Sequence, residues 1–242
     1  MTFLAKSDIG QVRKSNQDNF AFRALGDHCG FAVVCDGMGG HNGGNVASEI
    51  AVAVIRDYLI SAYDGQESAE EIRELISAAV QKANDAVYGK ARKEESLKGM
   101  GTTMVLVFLC GDDVYVAHAG DSRAYLFRSG KLTRLTKDHS FVQEMVEHGQ
   151  MTTAQAENHP YKNVITRALG NGEFIEIDWT SLKSAEGDCI MLCSDGLSNL
   201  VSDSEAEQIL NEGFDENICG RLVDTANKNG GSDNITVVFV CR

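Results

Sequence analysis

Residues 31–44 read FAVVCDGMGGHNGG, an apolar run that ends at Asp36 and continues into a glycine-rich segment. A short run with β-branched residues at its centre and turn residues after it is typical of a buried strand. The stretch predicts a strand that delivers one carboxylate to a bend, where glycines let the backbone approach whatever Asp36 binds. The same sequence is also compatible with a plain strand-to-helix turn and with the phosphate loop of a dinucleotide-binding domain.

Asp36 argues against the dinucleotide-binding alternative. Such a loop holds a pyrophosphate at a helix N-terminus, and a carboxylate there would repel it unless a cation lay between them. The acidic residue expected about twenty positions further on, at the end of a second strand, would be Asp57, which falls in a segment with helical periodicity. A metal site and a plain turn both remain open from this stretch alone.

Length and composition predict one globular domain over residues 1–242. The longest apolar run, residues 103–110, is of strand length, and the first residues lack the apolar core of a signal peptide, so we expect no membrane segment and a cytoplasmic location. The net charge of -13 argues against a nucleic-acid partner, because no basic patch offsets the repulsion from phosphates. It does not exclude a phosphorylated substrate whose charge is offset by cations.

The seven cysteines include no CxxC pair and show no regular spacing. Most stand inside apolar, strand-like runs, which favours reduced, buried thiols over a disulfide framework. Cys35 and Cys193 lie close to aspartates of interest, which raises the question of whether these two thiols are sensitive to oxidation.

Periodicity predicts clusters of strands and of helices rather than a strict alternation. Helical spacing covers residues 45–63, 68–93, 203–210 and 215–227. Strands are predicted at residues 3–10, 19–24, 31–35, 104–109, 113–119, 122–128, 131–135, 174–182, 188–193 and 235–241, with those between 104 and 135 forming an antiparallel meander. This clustering favours an α+β fold of antiparallel sheets covered by helices over a parallel doubly wound sheet.

Four aspartates share one local signature, an apolar strand on one side and glycine, serine or asparagine on the other: Asp36, Asp121, Asp195 and Asp233. Any one alone is more often a turn residue than a ligand. Four carboxylates gathered at one end of a core would repel one another unless cations neutralised them. Oxygen ligands select hard ions such as Mg²⁺ or Mn²⁺, and the chain has neither the paired histidines of a zinc site nor a DxDxDG calcium series.

Two further residues complete a hypothesis of phosphoryl chemistry. A pair of such ions can share a water, lower its pKa and stabilise both oxygens of an in-line displacement at phosphorus. Arg13 stands among polar turn residues, where its planar fork could bind two phosphate oxygens, although a solvated surface charge is the simpler interpretation. Asp18 either orients water from outside the ligand set or serves as a turn residue or cap.

Eight segments in one order resemble the metal-dependent serine/threonine protein phosphatases of type 2C (the PPM family), especially its bacterial members. They are DIGQVRKSNQDNF, CDGMGGHNGG, GMGTTM, HAGDSRAYLFR, LTKDHS, ITRALG, CSDGLSN and SDNITVV, and they span nearly the whole chain. The resemblance implies a four-layer α-β-β-α fold, a β-sandwich of two antiparallel sheets flanked by helices. It also implies two Mg²⁺ or Mn²⁺ ions between the sheets, a metal-activated water that attacks phosphorus, and no covalent phosphoenzyme.

On the matching positions, the resemblance implies that Asp36 bridges both ions and that Gly37 contributes a backbone carbonyl. Asp195 and Asp233 match the remaining protein ligands of the pair. Asp121, together with Asp195, matches a third and weaker metal site of bacterial members.

The resemblance also gives roles to residues outside the ligand set. Arg13 matches the arginine that binds the substrate phosphate, and Asp18 matches a residue that contacts metal-bound water. Residues 141–163, which begin as a helix and then lose periodicity, fall where the family has its flap beside the active site.

The chain departs from many eukaryotic members at Met38. Those members carry a histidine immediately after the DG pair, which is proposed to protonate the leaving alkoxide, and methionine has no proton to donate. Metal-bound water or another group such as His41 must then take that role, and the sequence does not choose. His118 and His139 are expected to pack and form hydrogen bonds rather than catalyse.

The family's function implies phosphoserine- and phosphothreonine-containing proteins as substrates and a cognate bacterial serine/threonine kinase as the opposing partner. A monomer without a nucleic-acid or membrane partner is expected. The alternative is a catalytically silent, phosphoprotein-binding regulator of the same fold. Such a regulator would be expected to have lost metal ligands, and none is missing here.

Overall fold

Two antiparallel sheets pack face to face in the computed structural model, which describes residues 1–157 and 159–242 and all of their side chains except those of residues 40–42 and 157. The first sheet has the order β1 (Thr2–Asp8), β11 (Ile235–Cys241), β10 (Cys189–Cys193), β7 (Arg123–Arg128) and β8 (Lys131–Arg134). The second has the order β2 (Asp18–Ala24), β3 (Cys29–Met38), β5 (Met104–Cys110), β6 (Asp113–Ala119) and β9 (Asp178–Lys183), and β4 (Gly101–Thr102) pairs with β3.

Helices cover the outer face of each sheet. The second sheet packs against α1 (Gly40–Ala62) and α2 (Ala69–Lys93), and the first packs against α5 (Asp195–Ser198), α6 (Asp203–Glu212) and α7 (Ile218–Lys228). Two short helices, α3 (Phe141–Glu147) and α4 (Thr153–Glu157), lie in the segment between β8 and β9, and a 3-10 turn spans Glu95–Leu97. The predicted α-β-β-α fold is confirmed. None of the described helices is long and apolar enough to cross a membrane.

The FAVVC run is apolar throughout because β3 is buried on both faces. Phe31, Val33 and Cys35 pack in the core beneath α1 and α2, whereas Ala32 and Val34 pack in the core between the sheets. Neighbouring residues of a strand point to opposite faces. Asp36 therefore continues the row of Ala32 and Val34, and the alternation carries its carboxylate toward the space between the two sheets.

The bend predicted directly after Asp36 lies further along the chain. Gly37 and Met38 pair with Thr102 and Gly101 of β4, so β3 continues through Asp36 as a strand. The following helix begins at Gly40 rather than at residue 45. Asp36 is consequently held by backbone pairing on a strand, which restrains it more than a turn would.

The predicted meander over residues 104–135 was partly wrong. β5 pairs with β6, and β7 with β8, but β6 pairs onward with β9 and β7 with β10. The chain therefore crosses from the second sheet to the first between Ala119 and Arg123. Asp121 stands in this crossing, where the two sheets meet.

The prediction that all cysteines are reduced was wrong for four of them. Disulfides join Cys29 to Cys110 and Cys189 to Cys241, with a Cα–Cα distance of 4.1 Å in each pair. The two members of each pair lie directly opposite one another on neighbouring antiparallel strands. This register juxtaposes residues that are far apart in the chain, which is why linear spacing gave no indication of it.

The remaining cysteines agree with the prediction. Cys35, Cys193 and Cys219 are free and buried. Burial raises the pKa of the Cys35 thiol far above its ordinary value and that of Cys193 to about 12. Because the thiolate is the reactive form, both thiols are expected to resist oxidation.

We expect alkylation of unreduced, denatured protein to modify three cysteines, since four are held in disulfides, and intact-mass spectrometry counts them directly. The bridges close chain segments of 81 and 52 residues, and each is expected to contribute about 2–4 kcal/mol to the free energy of unfolding. Reduction should therefore lower the unfolding temperature. A Cys219→Ser variant should keep both bridges, and seven modified cysteines in the wild type would contradict the pairing.

Candidate metal centre

The four signature aspartates line one cavity of about 290 Å³ at the ends of the sheets. Asp36 reaches it from β3, and Asp121 from the crossing between β6 and β7. Asp195 begins α5 and is separated from β10 by Ser194 alone, and Asp233 stands just before β11. Because β10 and β11 are antiparallel neighbours, the end of one lies beside the start of the other, and these two carboxylates come together. Arg13, Gly37 and Met38 line the same cavity.

The backbone of Asp36 is held on both of its polar atoms. Its N–H donates to Thr103 Oγ1 at 2.9 Å, and its carbonyl accepts from the Thr103 N–H at 2.8 Å and from Thr102 Oγ1 at 2.9 Å. These contacts come from the end of β4 and from Thr103, the residue that links it to β5. They restrain the position from which the Asp36 carboxylate enters the cavity.

Gly37 and Gly44 are in mutual backbone contact. A Cβ on Gly37 would lie 1.9 Å from the Gly44 carbonyl oxygen, and a Cβ on Gly44 would lie 2.5 Å from the Gly37 carbonyl oxygen. No side chain fits at either position. The two glycines therefore leave the Gly37 carbonyl, the predicted backbone ligand, without a side chain packed over it.

Asp18 does not line the cavity and lies behind it. It is 6% exposed, sits directly opposite Asp36 in the β2–β3 register, and accepts a hydrogen bond from Ser194 Oγ at 2.7 Å. Its other carboxylate oxygen is buried without a partner. Burial, partly offset by the Ser194 hydrogen bond, raises the pKa of Asp18 to about 7. Asp18 thus connects the second sheet to the residue that precedes Asp195.

The carboxylates of the centre destabilise one another's charged forms. Burial first, and then the neighbouring Asp18 and Asp195, hold the pKa of Asp36 well above its ordinary value. Burial and the charge of Asp195 raise the pKa of Asp121 to about 8. Burial and the charge of Asp233 raise the pKa of Asp195. Such a group is favourable only with compensating positive charge.

The donor set fits hard divalent cations. Asp195 accepts from Asn199 Nδ2 at 3.0 Å on one oxygen, while its other oxygen is buried without a hydrogen-bond donor. Unpartnered buried oxygens of this kind are rare in folded proteins. Carboxylate oxygens and a backbone carbonyl are the ligands that Mg²⁺ and Mn²⁺ prefer. The residues present therefore suit the ions that the resemblance implied.

Within the described residues, the one compact group of potential ligand atoms lies elsewhere, where atoms of His118, His139 and Asp178 are within 4.8 Å of one another. Its hydrogen bonds oppose metal binding. His139 Nδ1 accepts from the Gly120 N–H at 3.1 Å, and its Nε2 lies 3.1 Å from Asp178 Oδ2 and 3.3 Å from Arg167 Nη1, so both ring nitrogens are engaged. His118 Nε2 donates to the Gly120 carbonyl at 2.9 Å. As predicted, the histidines form hydrogen bonds, and they anchor the residue before Asp121.

The aspartates, by contrast, are spread around their cavity and do not converge on one point. Among the described residues, no three of these aspartates bring carboxylate oxygens within 4.8 Å of one another. Ligands that surround a cavity of about 290 Å³ suit separate ions better than one shared ion.

Sequence reasoning left several cavity residues without a role: Gln17, Thr103, Asn163, Ile165 and Asn234. All of these except Asn163 stand inside segments that carried the family resemblance, but an amide, hydroxyl or aliphatic side chain gives no signal comparable to a strand-end carboxylate. Met38 lines the cavity, and no described histidine side chain does. His41, the alternative proton donor, has a side chain outside the described residues.

We expect Mn²⁺ binding to release protons near neutral pH, because a cation displaces protons from carboxyls of raised pKa, such as that of Asp121 near 8. Mn²⁺ affinity should therefore rise with pH through this range. Calorimetric titration in two buffers of different ionisation enthalpy would count the protons.

The same raised pKa values predict how the chelated protein responds to pH. Above about pH 4, Asp18 and Asp121 keep in the folded state the protons that they lose in the unfolded state. The free energy of unfolding should therefore decline as the pH rises from about 4 through their folded pKa values of about 7 and about 8. Thermal unfolding in chelator would follow this decline. A Mn²⁺ affinity that stays constant between about pH 6 and pH 8 would contradict both expectations.

Fold and site together define a class of protein, a sandwich of antiparallel sheets with a carboxylate centre for divalent cations at one end and an arginine beside it. Comparison with known proteins identifies the family. The model of the family Protein phosphatase 2C matches residues 11–235. The chain belongs to the protein phosphatase 2C family.

Individual relatives match over nearly the whole chain. A serine/threonine phosphatase of Listeria monocytogenes is 38% identical over 238 residues, which cover 98% of this chain and 94% of that protein. The solved structure of the S. agalactiae serine/threonine phosphatase has a TM-score of 0.92 at 36% identity and covers 99% of this chain and 98% of that one. The catalytic domain of the phosphatase PstP in complex with two manganese ions has a TM-score of 0.84 at 36% identity, covering 98% and 96%.

Proposed function

We propose that this chain is a metal-dependent protein serine/threonine phosphatase that hydrolyses phosphoserine and phosphothreonine with Mn²⁺ or Mg²⁺. The observation that carries the proposal is the group of aspartates around one cavity with Arg13 on its wall. Family membership and the serine/threonine phosphatase names of the relatives support it. The complete set of carboxylates favours an active enzyme over a silent phosphoprotein-binding regulator.

The proposed ligands of two ions are Asp36, the Gly37 carbonyl, Asp195 and Asp233, with Asp121 and Asp195 available to a third ion. Their shared cavity and the unpartnered oxygen of Asp195 support this assignment. When bound, a pair of divalent ions supplies a nucleophile derived from water at neutral pH and neutralises charge at phosphorus.

Arg13 is the proposed phosphate-binding residue. Its side chain is half exposed, and its Nη2 lies 2.6 Å from Asp233 Oδ2. A guanidinium beside a proposed metal ligand places a phosphate oxygen next to the ions, and its planar fork binds two such oxygens. Arg13 would thus orient the substrate phosphate beside the ions.

Asp18 is a proposed support of the centre. Its hydrogen bond with Ser194 ties β2 to the segment that carries Asp195.

No described cysteine lines the cavity, and the free thiols are buried with raised pKa values. A thiol nucleophile is therefore unsupported, in agreement with direct attack by water.

Residues 141–163 are proposed as the flap. A bridge between Ser140 and Ile165 closes the base of the segment, and the Phe141 N–H donates to the Val164 carbonyl at 2.8 Å. A cavity of about 640 Å³ lies between this segment and the α5–α6 region, and it shares Asp121, Asn163 and Asp195 with the metal centre. We propose that polypeptide flanking the phosphorylated residue occupies this second cavity.

A serine/threonine kinase as opposing partner, a monomeric state and a cytoplasmic location are also proposed. Of these, the kinase partner rests on the resemblance to bacterial members of the family.

Phosphate release from phosphoserine and phosphothreonine peptides, measured with Mn²⁺, with Mg²⁺ and with chelator, tests the proposal. We expect release with metal and none in chelator, and the ratio of rates in the two metals establishes the preferred ion. Peptide binding without release in either metal would identify a silent binding protein instead.

A further inference from the structure

We propose that Asn234 is a positioning residue that places Arg13 against the phosphate site. Two consecutive residues would then serve cation binding and phosphate binding, because Asp233 is a proposed cation ligand and Asn234 holds the segment that carries Arg13. The inference rests on the proposed function for the identity of the group that Arg13 binds.

Arg13 stands in a segment that lacks regular secondary structure, residues 9–17 between β1 and β2. Val12 at its tip is 66% exposed. Binding through both arms of a guanidinium requires a defined orientation. An exposed irregular segment provides that orientation only if something fixes its base.

The side chain of Asn234 fixes this base. Asn234 is 4% exposed, and its Oδ1 accepts from the Gln17 N–H at 2.8 Å. Its Nδ2 donates to the Ile9 carbonyl at 2.9 Å and to the Ser15 carbonyl at 3.0 Å. Both amide N–H donors are used, and the three backbone groups lie on both sides of Arg13 in the chain. One buried amide therefore closes the loop that presents the arginine.

The segment of residues 9–17 and Asn234 both contact Asp233. The Asn234 N–H donates to Asp233 Oδ1 at 2.8 Å, while Arg13 Nη2 lies 2.6 Å from the other oxygen. A Cβ on Gly10, whose φ is +81°, would lie 2.2 Å from the Asp233 carbonyl oxygen. The loop of residues 9–17 thus packs directly against the backbone of Asp233, and the side-chain amide of Asn234 fixes the position of the loop against it.

Loss of the amide should affect orientation more than folding. Of the three residues that it binds, Ile9 and Ser15 are exposed and Gln17 is half-buried, so water can reach their backbone groups once the side chain is removed. The backbone donor from Asn234 to Asp233 remains in an Asn234→Ala variant. The expected defect is therefore in phosphate placement, with metal binding retained.

A double-mutant cycle with Arg13 tests the proposal. We expect Asn234→Ala to raise KM for a phosphothreonine peptide and the inhibition constant for inorganic phosphate, each about as strongly as Arg13→Ala does. The double variant should lie within about twofold of Arg13→Ala alone, because residues that act as a unit are not additive. Mn²⁺ affinity of Asn234→Ala should be unchanged or higher, as for Arg13→Ala, because the backbone N–H of residue 234 still donates to Asp233.

Asn84 provides a matched control. Like Asn234 it is a buried asparagine, and its amide holds another loop by donating to the Gly172 carbonyl and accepting from the Gly170 N–H, both at 2.9 Å. Asn84→Ala should lower the unfolding temperature, leave KM near that of the wild type, and combine additively with Arg13→Ala. A general loss of stability would give the same kinetics in both asparagine variants.

Amide hydrogen exchange of residues 9–17 separates this inference from the proposed function. Faster exchange there in Asn234→Ala, but not in Asn84→Ala, is expected whether or not a peptide is hydrolysed. Unchanged exchange, or additive effects of Asn234→Ala and Arg13→Ala, would overturn the positioning role. Absence of phosphate release by the wild type would instead overturn the proposed function.

Discussion

Asp36→Asn and Asp233→Asn are each expected to reduce metal-dependent phosphate release at least about a thousandfold, because residues of one catalytic unit lose most activity when any member is removed. An asparagine keeps the shape of the side chain and removes the charge that attracts a divalent cation. Release of phosphate from a small phosphate ester in Mn²⁺ measures the loss. Wild-type turnover by either variant would refute the assignment of these residues as ligands.

Two readouts separate lost ligation from lost folding. Calorimetric titration should show weaker Mn²⁺ binding by both variants. In chelator, Asp36→Asn should unfold at the same or a higher temperature than the wild type, because the substitution removes a charge that burial and neighbouring carboxylates disfavour. Asp85→Asn, an exposed position on α2, should leave both activity and Mn²⁺ binding unchanged.

Arg13→Ala is expected to raise KM and lower kcat while the metals stay bound. Hydrogen bonds to charged groups contribute about 1.5–3 kcal/mol, which predicts a loss of about 10- to 100-fold in kcat/KM. Mn²⁺ affinity should be unchanged or higher, because removal of the guanidinium frees Asp233 from its ion pair. Steady-state kinetics with a phosphothreonine peptide, together with Mn²⁺ titration, measures both effects.

Two neighbouring variants sharpen the interpretation. Arg13→Lys keeps the charge but loses the planar fork, so it should recover only part of the lost kcat/KM. Lys14→Ala removes the adjacent exposed cation and should have little effect. Equal losses in Arg13→Ala and Lys14→Ala would show that only the general positive charge of the segment matters, and unchanged kinetics in Arg13→Ala would make the arginine a plain surface charge.

Local pattern was sufficient for two of the strands that flank the site. Residues 113–119 and 235–241 are strands with the predicted bounds, because burial and turn chemistry within a few residues determine them. Ser68 caps α2 at the predicted start, accepting from the Glu71 N–H. The grouping of strand-end aspartates followed from the same logic, since antiparallel neighbours bring the end of one strand beside the start of the next.

The amino-acid sequence by itself determined the two-sided burial of FAVVC, the carboxylate that follows it, and the order of segments that indicated the family. Only the tertiary structure decided that the chain changes sheets around Asp121, that two cysteine pairs are juxtaposed, and that Asn234 holds the arginine segment. Its contact with Ile9 joins residues 225 positions apart. Periodicity reports how each residue is buried, whereas such contacts depend on which distant strands become neighbours, and no local pattern carries that information.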